Sequence, residues 1–165
     1  MKEHTEGVGD SAANGVSGPR RRVRVLFGES GGDFDCFFSR DFLGECLLPR
    51  YDFEVVRVAS GADVLREAET GTYDLIVLFL NNIIMPKDDP RDLLVSLVRR
   101  IKQQCGKPIL TLCGAWQDTA FGEEVTAAGA AFFFDVPFDA QEWKAAVESC
   151  LAGNSNRAAG ARPGG

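Results

Sequence analysis

The feature that most constrains this chain is the unbroken apolar run Leu75–Leu80, which reads LIVLFL. A strand with water on one face alternates apolar and polar residues, whereas a strand covered on both faces carries apolar residues throughout. The run is also shorter than an ordinary buried helix. It therefore predicts a strand in the middle of a parallel sheet that is covered by helices on both sides.

Strand and helix patterns alternate along the chain on both sides of this run. Five strand–helix repeats predict an α/β fold with a doubly wound five-stranded parallel sheet, a three-layer α/β/α sandwich. Asp89 is predicted as the N-cap of the third helix with Pro90 in its first turn, and Gly129 is predicted to end the fourth helix. The predicted strands are Val23–Phe27, Phe53–Val58, Leu75–Leu80, Ile109–Leu112 and Ala131–Asp135, and the predicted helices are Asp33–Leu48, Ala62–Glu69, Pro90–Gln104, Phe121–Ala128 and Ala140–Leu151.

Two stretches rich in Gly, Ala, Ser and charged residues flank this region, at residues 1–20 and 152–165. We expect both to be disordered tails, because they cannot bury enough apolar surface to offset the entropy of ordering. One domain over residues 21–151 remains, as the length of 165 residues also indicates. The N-terminus lacks the apolar core of a signal peptide, and no run is long enough to cross a bilayer. We expect a cytoplasmic location without membrane contact.

Charge and the reactive residues exclude several classes of function. A formal net charge of −6 argues against a nucleic-acid partner. His4 is the only histidine, so Ser-His-Asp and Cys-His catalysis are excluded, and without a CxxC pair no zinc site is expected. The dispersed cysteines are expected to be small core residues in a reducing compartment; they are Cys36, Cys46, Cys105, Cys113 and Cys150.

Three segments resemble the receiver domains of response regulators. The segment AGAAFFFDVPFDAQEW (Ala128–Trp143) is similar to the family pattern AGAxxYLxKPFxxxEL. TYDLIVL followed by IIMPKDDPRDLL is similar to xDLILLDxxMPxxDGxxLL, and GKPILTLCGA is similar to xxPVIxLTA. With the order and spacing of the strands and helices, the resemblance spans the chain from about Val23 to Leu151. The resemblance implies a flavodoxin-like (CheY-like) fold and a role in two-component signalling or a phosphorelay.

The resemblance also implies where a magnesium-binding acid pair would lie. Receivers carry two adjacent acids after the first strand, and these hold Mg²⁺ with oxygen ligands. The pair maps to Phe27–Gly28 or to Gly28–Glu29, so Glu29 is at best the one acid that remains. No resident cofactor is therefore expected, and any Mg²⁺ binding is expected to be weak.

The position of the phosphoacceptor aspartate carries no acid. Counting back from Met85–Pro86 places it on Asn82, whereas counting forward from Tyr73–Asp74 places it on Phe79, so this loop holds about three extra residues. An amide oxygen is too weak a nucleophile to form an acyl phosphate. Asn81 and Asn82 are expected either as turn residues or as hydrogen-bonding groups toward the loop or a ligand.

The remaining positions of the family's pocket have also changed. The lysine that pairs with phosphoryl oxygens corresponds to Val136, which carries no charge. The Ser or Thr after the fourth strand corresponds to Cys113, and Thr111 lies two residues earlier with either a core role or a free hydroxyl. The aromatic switch position corresponds to Phe133, which lacks a hydroxyl.

Three other features have both a functional and a structural interpretation. Asp88, Asp89 and Asp92 are either a cation site or, as we favour, helix-capping charges. The segment Gly28–Phe34 is either a phosphate loop or, as we favour, a flexible connection, because it lacks GxGxxG spacing. Trp116 is either a partner anchor or a cap on its loop.

The resemblance predicts a pseudo-receiver that binds a signalling protein, either a histidine kinase or an effector, without being phosphorylated. Its output surface would be Phe121–Ala128, Phe133 and Ala140–Leu151, with a homodimer left open. No residue is predicted to be catalytic. One alternative is a working phosphoacceptor site built from Glu29 and an acid such as Asp74, Asp88 or Asp89. The other is a flavodoxin-like domain that binds a nucleotide or flavin.

Overall fold

The computed structural model describes residues 18–31, 48–114 and 118–160. The first predicted helix (apart from Leu48), Trp116, Cys36, Cys46, most of the predicted N-terminal tail and the last five residues of the predicted C-terminal tail lie outside these residues. The helices numbered below are therefore the second to fifth predicted ones. The strands are β1 (Arg21–Gly28), β2 (Tyr51–Val58), β3 (Leu75–Phe79), β4 (Ile109–Cys113) and β5 (Phe132–Asp135), and the helices are α1 (Gly61–Glu69), α2 (Arg91–Cys105), α3 (Thr119–Ala128) and α4 (Ala140–Gly160).

The five strands form one parallel sheet in the order β2-β1-β3-β4-β5. The chain first runs outward from β1 to β2 and then crosses to β3 on the other side of β1. The strand order thus reverses between β1 and β3, where folds of this kind have a crevice at the carboxyl ends of the strands. The doubly wound flavodoxin-like fold is confirmed.

Two apolar clusters cover the two faces of the sheet. All five residues of β3 are buried, which confirms that the run starting at Leu75 is a central strand. On one face, Val64 of α1, Leu94 of α2 and Val125 of α3 lie in the same cluster. On the other face, Trp143 of α4 is fully buried. These layers build the α/β/α sandwich. Within the described ranges, no helix combines the length and apolarity needed to cross a bilayer.

The helix ends follow local side-chain chemistry, with one correction. Ser60 caps α1 by accepting a hydrogen bond from the Asp63 backbone N–H, and Asp118 caps α3 in the same way. Gly129 ends α3 at a φ of 125°, as predicted. The prediction of Asp89 as an N-cap was wrong, because Pro90 holds the cap position of α2 without a side-chain bond.

Two element bounds differ from expectation at places that matter for the site. Strand β3 ends at Phe79, one residue before its predicted end, and a single 3₁₀ turn follows over Leu80–Asn82. That turn contains the three residues by which the two alignments of the phosphoacceptor position differ. At the other end of the chain, α4 continues past its predicted end at Leu151 to Gly160.

Candidate functional site

Hydrogen bonds connect the carboxyl ends of three neighbouring strands. After β1, the Ser30 backbone N–H donates to the Asn82 carbonyl at 2.6 Å. After β4, the Gly114 backbone N–H donates to Asn81 Oδ1 at 2.8 Å. Asn81 Nδ2 in turn donates to Asn82 Oδ1 at 3.3 Å. The two asparagines therefore lie in the crevice and bind the neighbouring loops, as turn residues with a hydrogen-bonding role.

Glu29, the one acid at the end of β1, is buried against an arginine. Its side chain is 0% exposed, and its Oε2 lies 3.0 Å from Arg57 Nη1 on β2. Phe27 and Arg57 are register partners, and the Arg57 guanidinium lies 5.1 Å from the centre of the Phe27 ring. The carboxylate thus has a cation from the protein itself at the place where the family pattern puts a metal ligand.

Gly28, the other candidate position for the acid pair, is closely surrounded by apolar side chains. A Cβ added there would lie 3.0 Å from both Leu78 Cδ2 and Val64 Cγ2. Such contacts are tighter than ordinary van der Waals packing, so a larger side chain requires the core to move. The apolar packing on this face of β1 therefore leaves little room for a second carboxylate.

The lysine-equivalent position has become part of the apolar core. Val136 is half-buried and packs against the cluster that holds Trp143. Its backbone N–H donates to the Cys113 carbonyl at 2.9 Å. A Cβ on Gly114 would lie 3.5 Å from Val136 Cβ, so the valine borders the crevice beside the asparagine loop. The Val136 side chain thus brings methyl groups and no charge to the crevice.

The switch-equivalent residues are packed into the opposite face of the sheet. Cys113 is buried, and the buried Thr111 donates its hydroxyl to the Phe132 carbonyl at 2.9 Å, so Thr111 has a structural bond. Phe133 meets Phe121 of α3 edge to face at 6.0 Å between ring centres. A Cβ on Gly122 would lie 3.1 Å from the Phe133 ring, so this glycine lets the ring pack inward.

Asp89 and Asp74, two of the other candidate acids, are engaged away from Glu29. Asp89 forms a 2.7 Å ion pair with Arg91, and the hydrogen bond from that guanidinium lowers the pKa of the Asp89 carboxyl. Asp74 precedes β3 and accepts from the Arg24 backbone N–H at 2.9 Å. The length of a five-residue strand, about 16 Å, separates Asp74 from the crevice.

The oxygen donors of the described residues do not fit a magnesium ion of the receiver type. Mg²⁺ takes about six oxygen ligands in octahedral geometry and is usually held by carboxylates. Among the described residues, no group of three or more His, Cys, Asp or Glu could hold a metal ion. Glu29 is paired with Arg57, and the nearby Asn81 and Asn82 offer amides.

Arg57 is the site residue that the sequence analysis missed. It lies in the strand sequence YDFEVVRV, where it is a charged residue on a face that is otherwise partly apolar. Such a residue near the end of a strand is a signal for a buried partner acid. The signal does not name the partner, because the parallel register of β1 and β2 decides which acid it meets.

Comparisons with known proteins agree with the fold. No family model and no curated protein matches this sequence. Among solved structures, a signal receiver domain from Vibrio parahaemolyticus superposes with a TM-score of 0.61 at 17% identity over 86% of this chain and 98% of that one. The receiver domain of sensor histidine kinase PA1611 from Pseudomonas aeruginosa, which holds a magnesium ion in its active-site cleft, gives 0.58 at 20% identity over 79% and 98%.

NtrX from Brucella abortus, solved in complex with ADP, gives a TM-score of 0.59 at 17% identity over 82% of this chain. The chain spans only 28% of the length of NtrX. Identities this low show the shared fold alone. The chain therefore has the fold of response-regulator receiver domains.

Proposed function

We propose that the chain is a receiver-type signalling domain of a two-component system or phosphorelay that binds a protein partner without accepting a phosphoryl group. It works as a cytoplasmic binding module and not as an enzyme. The single observation that carries the proposal is the crevice closed by the chain's own groups. Glu29 is paired with Arg57, and the amides of Asn81 and Asn82 bind the adjoining loops.

Phosphoryl transfer needs a nucleophile and cations around the transferred group. The acceptor region holds amides, which are poor nucleophiles at neutral pH. In the described part of the chain, Arg57 is paired with Glu29 and already neutralises that carboxylate. Val136 adds no charge to the crevice. Transfer to this crevice would therefore lack both the attacking carboxylate and the cation that steadies the phosphoryl oxygens, and Mg²⁺ would bind weakly.

The partner surface that we propose consists of α3, β5 and α4. Strand β5 lies at the edge of the sheet, and its Phe132 is 37% exposed, which is unusual for a large apolar side chain. Phe132 stacks with Phe134 at 6.3 Å between ring centres, so the exposed ring is held in place. A rigid exposed aromatic ring is a common anchor in protein interfaces. The partner is a histidine kinase, an effector, or a second copy of the chain.

The proposal is tested by intact-protein mass spectrometry after incubation with Mg²⁺ and acetyl phosphate. We expect no phosphoryl adduct, under conditions in which a conventional receiver becomes labelled. A base-labile adduct on the wild type would overturn the proposal, and peptide mapping would then identify the carboxylate. The Asn82→Asp variant, which restores a carboxylate in the turn, is the matched control for access of the small phosphodonor.

The binding step is tested separately with the immobilised chain and the extract of the organism that encodes it. We expect the same proteins to be retained with acetyl phosphate and Mg²⁺ as with a chelator. We further expect Phe132→Asp to reduce their retention. Retention that requires the phosphodonor would contradict the phosphorylation-independent mode.

A further inference from the structure

An open apolar groove lies between α1 and α2, on the face of the molecule away from α4. It has a volume of about 510 Å³. Leu97 forms part of its floor, and the half-buried side chains of Leu65, Met85 and Leu93 form its sides. Ile84, in the loop before α2, borders the groove with 59% of its surface exposed. Apolar surface gathered in one concave place is typical of an interaction site.

The exposed Ile84 is held rigidly by its backbone. Its N–H donates to the Ala59 carbonyl at 2.9 Å, and its carbonyl accepts from the Gly61 N–H at 3.1 Å. Beside it, a Cβ on Gly61 would lie 2.6 Å from Met85 Sδ, so the glycine allows the methionine to pack directly on the start of α1. A preorganised apolar side chain loses little conformational entropy when it binds a partner.

The polar groups of the groove select a negatively charged partner. The Ser60 hydroxyl is already used as the cap of α1, between Asp63 N and Asp63 Oδ2. Arg100 lines the groove, is exposed, and has no ion-pair partner among the described residues. Elsewhere on the two helices, Arg66 of α1 pairs with Asp63 and Arg91 at the start of α2 pairs with Asp89. Arg100 is therefore available to a carboxylate brought by the partner.

The form of the partner follows from the elements around the groove. The sheet edges are β2 and β5, and neither borders the groove, so a partner strand cannot extend the sheet here. Among the described residues that line the groove none is aromatic, which argues against a proline-rich ligand. The mode that remains is an amphipathic helix whose apolar face enters a groove between two helices.

We propose that the groove between α1 and α2 binds an amphipathic helix of a partner protein, with large apolar side chains over Ile84 and Met85 and a carboxylate on Arg100. This inference goes beyond the proposed function, because the groove lies apart from the surface of α3, β5 and α4. It also does not depend on whether the crevice accepts a phosphoryl group. The chain then offers two separate binding faces.

The test selects helical peptides from a random display library on the wild-type chain and removes those that also bind Ile84→Asp. We expect the selected peptides to carry apolar residues at helical spacing and an acid. In fluorescence polarisation, Arg100→Glu should weaken binding of such a peptide by about tenfold. Replacing the peptide's acid by lysine should restore binding to Arg100→Glu. Arg99→Glu, on the exposed adjacent position of α2, is the matched control and should bind as the wild type does.

Three results would overturn the inference. Failure to enrich any peptide that Ile84→Asp rejects would show that the groove binds no helix. Equal effects of Arg99→Glu and Arg100→Glu on peptide affinity would show that the peptide responds to the overall charge of α2 and makes no specific contact with Arg100. A wild-type dimer in light scattering that Ile84→Asp converts to a monomer would assign the groove to a second copy of the chain.

Discussion

The pair between Glu29 and Arg57 shows at the scale of residues how the chain's own groups fill the crevice at the strand ends. A carboxylate with no exposed surface is stable only if a cation or hydrogen-bond donors replace its hydration. Arg57 supplies the cation at 3.0 Å and rests its guanidinium over Phe27. The same carboxylate in a metal-binding receiver would face the ion. Here the cation beside the carboxylate is the guanidinium of Arg57.

Removing the arginine alone should therefore destabilise the fold. We expect Arg57→Met, which keeps an apolar stem over Phe27, to lower the free energy of unfolding by about 3 kcal/mol, because Glu29 would remain buried without its cation. Urea denaturation measures this loss. The control Arg22→Met, at a loose and exposed pair with Glu54, should cost less than about 0.5 kcal/mol.

A double-mutant cycle separates the free energy of the ion pair from that of the packing of its two side chains. In the Glu29→Gln, Arg57→Met variant no charge is left buried, so we expect its loss to be smaller than the sum of the two single losses. Additive losses would show that the ion pair contributes nothing beyond packing. The interpretation of Glu29 as an acid neutralised by Arg57 would then be wrong.

At this scale the sequence predicted which residues lie at the strand ends but not which residues they contact. Glu29, Asn81 and Asn82 follow strands whose ends were predicted to within two residues, and all three lie in the crevice. The bond from Gly114 to Asn81 and the pair with Arg57 join residues that are far apart in the chain. Periodicity describes only the residue itself and its near neighbours, so it cannot supply such pairs.

At the scale of elements, the turn after α3 positions β5 and its exposed ring. Gly129 adopts a φ of 125°, and a Cβ there would lie 2.7 Å from Lys102 Cγ. Both the backbone conformation and the contact oppose any larger residue. The turn thus depends on glycine at this position.

We expect Gly129→Ala to lower the free energy of unfolding by about 1–3 kcal/mol, because alanine is strained at this φ. Thermal or urea denaturation measures the change. Gly153→Ala is the matched control, since a Cβ there meets nothing within 4 Å and the residue lies in α4. That variant should be neutral or gain up to about 1 kcal/mol from higher helix propensity. Equal effects of the two variants would contradict the assigned turn.

All five strands were predicted, and their bounds differ from the structure by at most two residues. The differences arise because ladder hydrogen bonds do not require apolar side chains, so an apolar pattern does not mark every paired residue. Strand β1 begins at Arg21, two residues before its predicted start, since the exposed arginines pair with β2 through their backbones. The cap of α2 was mispredicted for a related reason. The Asp89 carboxylate binds the Arg91 guanidinium, accepts only a long 3.4 Å hydrogen bond from the Arg91 backbone N–H, and lies one residue before the cap position.

At the scale of the whole molecule, the protection of backbone amides from hydrogen exchange should decrease from the centre of the sheet to its edge. Every residue of β3 is buried and the strand pairs on both sides, whereas β5 has one partner strand and no fully buried residue. We expect the amides of β3 to exchange with deuterium far more slowly than those of β5. Hydrogen-exchange mass spectrometry measures the order. Equal protection of β5 would indicate that another chain covers this edge.

The overall topology was predictable because few arrangements satisfy an alternation of buried strands and helices. Right-handed crossovers leave the doubly wound sheet as the natural solution, and the strand order confirms it. The groove between α1 and α2 was not predictable. It arises where Ile84 and Met85 of a loop meet two helices, and no single segment carries that information.

The hydrogen bonds from Ser30 and Gly114 to the asparagine turn hold three strand ends together with the chain's own atoms. On the function proposed here, a kinase has no means of raising the fraction of molecules that can bind. Occupancy of the partner then follows mass action and is set by the amounts of the chain and the partner and by their affinity. Synthesis and degradation of the chain then regulate the signal, because they set its copy number.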